Sequence, residues 1–154
     1  MAEIVAVSEM LSLALHSMVL IALQDQEYIN AKEIAAATGA SEAHLAKVLQ
    51  RLVKAGLLHS TRGPKGGFAL AKPADELTLL DVYEVIEGQM HQEQCPTGRA
   101  VCPFASCILG GVPERFNQEF TDYLGSKTLG DISFRLKGQS KIPSGTKYQK
   151  GALH

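Results

Sequence analysis

Apolar residues recur at three- and four-residue spacing through Leu11, Leu15, Met18 and Ala22, and Leu13, Val19 and Ile21 widen the stripe almost to the full circumference. That pattern predicts a first helix buried on two sides, in which His16 is expected to be a satisfied core residue. Asp25 and Glu27 break it. Asn30 can cap a second short helix over residues 31–38 by offering its side-chain oxygen to the free amides, and Gly39 suits the left-handed turn that stops it. Ser41 caps a third helix, with Glu42 in its first turn. Leu45, Val48, Leu49 and Leu52 form its inner face, while Lys47, Arg51 and Lys54 fall largely on the other side, and Gly56 ends it. Residues 57–60 read as a short strand, the run Arg62-Gly63-Pro64-Lys65-Gly66-Gly67 as a turn, and residues 68–70 as a returning strand.

Further on, Thr78 and Asp81 have capping-box spacing for a fourth helix that runs to Glu87 and closes at Gly88. Residues 89–111 lack periodicity and hold all three cysteines. Pro113 suits the first turn of a fifth helix, whose stripe is Phe116, Phe120, Tyr123 and Leu124 up to Gly125. Thr128 can cap a last short helix over residues 129–136. Residues 137–154 are polar with few apolar positions and are expected to be disordered. The fold class is therefore mainly α with a small β-hairpin. Two helices joined by a short glycine-containing turn, then a glycine-rich hairpin, make a winged helix-turn-helix.

Composition adds little to this and charge adds more. The 154 residues are 45% hydrophobic and 20% charged, as in soluble globular chains. The net charge is −1, but it is unevenly spread. Residues 1–29 carry four acids and no lysine or arginine, residues 30–72 seven bases against two acids, and residues 73–136 ten acids against four bases. A basic module thus sits inside a neutral average. The N-terminus has no basic leader, and Glu3 and Glu9 interrupt it. Its uncharged run of 15 residues, from Met10 to Gln24, includes Ser12, His16 and Ser17 and is too short and polar to span a bilayer. An odd number of cysteines is poor material for a disulfide framework. A cytoplasmic protein with no membrane role is expected.

The basic module has the chemistry of a duplex-binding surface. A helix preceded by a tight turn can enter the major groove and present its first residues, here Ser41, Ala43, His44 and Lys47, to base edges. Arg51, with Lys54 and Lys32, reads as a phosphate contact that positions without specifying. Gly63, Pro64, Gly66 and Gly67 allow close backbone approach, Lys65 adds charge at the tip, and Arg62 can reach a narrow minor groove. A basic stripe is also what a solvated helix face looks like, and the glycine turn lacks the Gly-Lys-Ser/Thr ending of a phosphate loop. What favours DNA is the order of cap, turn, helix, strand, basic wing and strand within one short stretch. The five histidines (His16, His44, His59, His91, His154) are scattered and form no catalytic constellation, so an enzyme is not expected.

Cys95, Cys102 and Cys107 are separated by six and four residues. Thiolates on irregular backbone can converge on one iron–sulfur centre. They could also hold a structural zinc with His91, act as a redox pair beside Arg99, or be spectators.

The stretch SEAHLAKVLQRLVKAGLLHSTRGPKGGFAL at residues 41–70 resembles the IscR, NsrR and CymR family of winged-helix regulators. So do LALHSMVLIAL near the start and LTLLDVYEVIEG after the wing, and the resemblance runs from about residue 8 to 136. It implies a transcription regulator that forms a homodimer through crossed fifth helices and binds a partly palindromic operator in double-stranded DNA. By position it makes Ser41, Ala43, Lys47 and Arg62 the matched contacts. Ala46 stands where other members carry an acidic residue, so their operator preference does not transfer. Several members hold an iron–sulfur cluster, 2Fe–2S or 4Fe–4S, on three cysteines before the fifth helix, which assigns Cys95, Cys102 and Cys107 as ligands. The histidine that some members place three residues after the last cysteine is Gly110 here. Others use a carboxylate from the partner's first helix, for which Glu9 is the nearest candidate, although the aligned position is Ser12; His91 and His16 are further options. Other members have no cluster and sense by other routes, such as a protein partner. The division implied is a winged helix-turn-helix over residues 1–73, a sensor loop with dimerisation helices over 74–136, and a tail over 137–154.

Overall fold

Serine, threonine or asparagine begins five of the six helices found among the described residues, as side-chain caps require. The computed structural model describes residues 7–90 and 102–138. In it Ser8 caps α1 (Glu9–Leu23), Asn30 caps α2 (Ala31–Thr38) and Ser41 caps α3 (Glu42–Lys54). Thr78 caps α4 (Leu79–Glu87) and Thr128 caps α6 (Leu129–Lys137). The exception is α5 (Val112–Ser126), which starts on Gly111 in a left-handed conformation with Pro113 in its first turn. Between α3 and α4 lie β1 (Leu58–Thr61), β2 (Gly67–Leu70) and a 3-10 turn at Ala74–Glu76.

The end of α3 sets the start of the hairpin. The Gly56 amide donates to the Val53 carbonyl and the Leu57 amide to Leu52, each at 3.0 Å, which is a Schellman closure with Gly56 left-handed. Leu57 is therefore held by the helix, and the strand begins one residue later than its apolar run suggests. β1 and β2 pair antiparallel, with Leu58 opposite Leu70 and Thr61 opposite Gly67.

A single core joins these elements. Leu11, Ala14 and Met18 of α1 pack with Ile34, Leu45, Leu49, Leu52, Leu58, Val82 and Leu129, all essentially inaccessible to solvent. Helix α1 contacts α2, α3, α4, α6 and β2, which accounts for its nearly all-round apolar sequence. His16 is a correction to the expected pattern: it lies exposed, its Nδ1 2.7 Å from the Ser12 carbonyl oxygen. Helix α5 continues through Gly125, where it lies against Leu80 of α4. Short pairings tie the start of α4 to that of α6: the Leu79 amide donates to Lys127 (2.9 Å) and that of Leu129 to Leu77 (2.8 Å). No helix among the described residues is long and apolar enough to cross a membrane. The tail expected to be disordered falls, from residue 139, outside the described residues.

Candidate nucleic-acid interface and cysteine segment

The N-terminal end of α3 is presented to solvent. Ser41 is exposed, and its Oγ accepts from the His44 amide at 3.2 Å, so the cap and the candidate base contact share one hydroxyl. Ala43 and Lys47 are exposed and His44 is half-buried, while Leu45, Val48 and Leu49 hold the opposite face in the core. The wing turn is closed by the Gly66 amide donating to Gly63 at 3.0 Å. At φ +114, Gly63 occupies backbone space that a side chain disfavours. Arg62, Gly63, Pro64 and Lys65 are all exposed at the tip.

The wing is also fastened to the chain that enters α2. Ile29 and Phe68 exchange two backbone hydrogen bonds, of 3.1 and 2.9 Å. A Cβ on Gly67 would collide with the Ile29 carbonyl, and one on Gly66 with the Thr61 carbonyl, so both glycines answer to close backbone approach. Among the described residues the ion pair found joins Lys137 to Asp25 at 3.5 Å, which leaves Lys47, Arg62 and Lys65 without a carboxylate partner. Their charge is available to an external anion.

Arg51, expected as a phosphate contact, is exposed but already engaged within the chain. Its guanidinium is turned onto the end of α4, where Nη2 donates to the carbonyls of Val85 and Ile86, each at 3.1 Å. Its Nη1 lies 3.1 Å from Met10 Sδ. The last carbonyls of a helix lack intrahelical donors and carry partial negative charge, which draws a cation there.

Cys102 and Cys107 are exposed free thiols on a segment without helix or strand. That segment passes into α5 through the Gly110 amide on the Cys107 carbonyl (3.0 Å) and Arg115 Nη1 on the Gly110 carbonyl (2.9 Å). Cys95, His91 and Arg99 lie outside the described residues. Glu9 is exposed in the first turn of α1, and among the described residues no three His, Cys, Asp or Glu side chains gather as a metal site.

The aromatic stripe of α5 divides. Phe120 meets Tyr83 edge-on at 5.8 Å and Leu124 is buried, whereas Phe116 and Tyr123 remain exposed. Phe104, Ile108 and Leu109 of the segment before α5 are exposed as well, as is Val112 at its first position. Periodicity does not reach Phe104, Ile108 and Leu109, which precede the helix.

A family model described as Rrf2, an iron-dependent transcriptional regulator, matches residues 7–134. The protein aau3 of Rhizobium meliloti is 39% identical over 102 residues, covering 65% of this chain and 66% of that one. The HTH-type transcriptional regulator IscR of Pectobacterium carotovorum is 30% identical over 128 residues, covering 82% of this chain and 73% of its own length. Among solved structures, CymR, the global cysteine regulator of B. subtilis, superposes with a TM-score of 0.70 at 26% identity, covering 85% of this chain and 98% of that one.

Proposed function

The chain belongs to the Rrf2 family of transcriptional regulators, and from that premise we propose that it is a cytoplasmic homodimer whose hold on an operator is governed by an iron–sulfur cluster on Cys95, Cys102 and Cys107. The observation that carries the reading is an adjacency. Two exposed, unpaired thiols lie on irregular backbone that runs straight into the bare apolar face of α5. Irregular backbone lets several thiolates turn towards one centre, so this donor set fits an iron–sulfur cluster. When bound, the cluster would supply a centre sensitive to oxidants, nitric oxide or iron supply. Glu9 of the partner subunit is the candidate for the fourth ligand, since its carboxylate is exposed in the first turn of α1.

DNA binding itself belongs to α3 and the wing. Ser41, Ala43, His44 and Lys47 face base edges, while Arg62, Gly63, Pro64 and Lys65 approach the neighbouring minor groove and backbone. A partly palindromic operator is engaged by both halves only if the two α3 helices stand about one helical turn apart. The α5 face, with Phe116 at 55% exposure, meets its counterpart in a second copy, with Ile108 of the preceding segment exposed at 78%. Because the cysteine segment leads into α5, a change in how the thiolates are held alters that spacing.

Iron and acid-labile sulfide analysis of anaerobically purified protein tests this. Brown protein that Cys102→Ala renders colourless is expected. Colourless wild type without iron overturns it in favour of a second reading, in which the thiols are oxidised directly or a protein partner supplies the signal. The exposure of Cys102 and Cys107 suits that reading.

A further inference from the structure

Helices α1 and α3 are fastened to the last turn of α4, and α5 touches the chain just beyond it. The Glu87 carboxylate accepts from the amide and hydroxyl of Ser8, the cap of α1. The carbonyls of Val85 and Ile86 accept from Arg51 of α3. The sulfur of Met90, two residues beyond the Gly88 cap, lies 2.9 Å from the Thr121 hydroxyl of α5. Met90 lies inside the stretch of residues 89–111 that holds the three cysteines.

Sequence spacing alone would put Arg51 with the DNA-facing side chains, since His44, Lys47 and Arg51 recur at positions that share a helix face. Its hydrogen bonds take it elsewhere. A planar guanidinium can satisfy two carbonyls and reach a thioether at once, whereas a lysine ammonium is a point charge without that fork.

We propose that Arg51 is a positioning residue for DNA binding: it clamps the last turn of α3 onto the end of α4 and so fixes the angle at which Ser41, Ala43 and Lys47 meet a duplex. This rests on the assignment of α3 as the DNA-binding helix. It separates the charge of Arg51 from its hydrogen-bonding shape, and the two are distinguishable because phosphate contacts release counterions while a clamp releases none.

The test compares wild type, Arg51→Lys and Arg51→Gln by fluorescence anisotropy across a salt series. The probe is a duplex that the wild-type protein selects from a random-sequence pool. Both variants are expected to lose affinity about tenfold, with the slope of log affinity against log salt unchanged. Wild-type affinity in Arg51→Lys overturns the clamp, as does a slope shallower by about one phosphate contact in Arg51→Gln. Should the variants fail to fold, NMR of the arginine side chains in wild type decides. The Arg51 guanidinium signals are expected to stay in place on adding the duplex while those of Arg62 move, and an equal shift at Arg51 overturns the proposal. A wild type that binds no duplex removes the DNA assignment and the clamp together, whereas a binding wild type with indifferent Arg51 variants removes the clamp alone.

Discussion

Asp131 is fully exposed, yet its carboxyl is held below its ordinary value of 3.8 by the Thr128 backbone amide, then the Thr128 hydroxyl, and then the charge of Lys127. The two residues form a capping box: the Thr128 amide donates to Asp131 Oδ2 and the Asp131 amide to Thr128 Oγ1, each at 3.0 Å. A lowered folded-state value means that folding favours the ionised form. The contribution to α6 is therefore complete above the ordinary carboxylate range and is lost as pH falls through the lowered value. In an acid titration followed by amide NMR, Thr128 and Asp131 should shift with a midpoint below 3.8, and Asp131→Asn should remove the step. A midpoint at or above 3.8 would mean the box does not hold. Local chemistry of this kind was open to sequence reading, since the similar pair Thr78 and Asp81 was found by spacing alone. The role of Arg51 was not. Its acceptors lie 34 and 35 residues away, and a charge on a helix gives no hint of which distant carbonyl end will claim it.

Among the elements, the wing shows how little freedom its backbone has. Gly67→Ala would push a methyl group into the Ile29 carbonyl and break the paired bonds between Ile29 and Phe68. We expect a loss of about 1–3 kcal/mol, read as a fall of about 2–4 °C in Tm per kcal/mol for a chain of this size, together with weaker DNA binding. An unchanged Tm would show that the wing is not anchored through this contact. Helices α2, α3 and α4 and the hairpin were legible because caps, glycines and apolar spacing are local signals. The Ile29–Phe68 pairing was not legible, because one residue between two helices carries no strand periodicity. Leu57 misled for a related reason: an apolar residue that closes a helix and one that opens a strand look alike until their amides are placed.

At the scale of the molecule, one core runs from Leu11 to Leu129, so the helices after the wing share their packing with those before it. Among the described residues this core leaves bare the outer side of α5, along with Phe134 of α6 and Val7. Sequence periodicity gave α5 one aromatic stripe, and only tertiary packing divides it, since Phe120 and Leu124 answer to Tyr83 and the core while Phe116 and Tyr123 do not. Phe116→Asp should therefore leave helicity and melting nearly unchanged but convert pairs to single chains in analytical ultracentrifugation, because an unpaired charge buried at an interface is strongly unfavourable. Pairs that persist would move the interface elsewhere. Colour and iron content decide whether the cysteines hold a cluster, but regulation of transcription requires DNA. The most direct measurement is a titration of the selected duplex with wild type and Arg62→Ala at several salt concentrations. Expected are two chains per duplex, affinity that falls steeply with salt, and markedly weaker binding by Arg62→Ala. Folded, paired protein that binds no double-stranded DNA even in dilute buffer would contradict a role in regulating transcription.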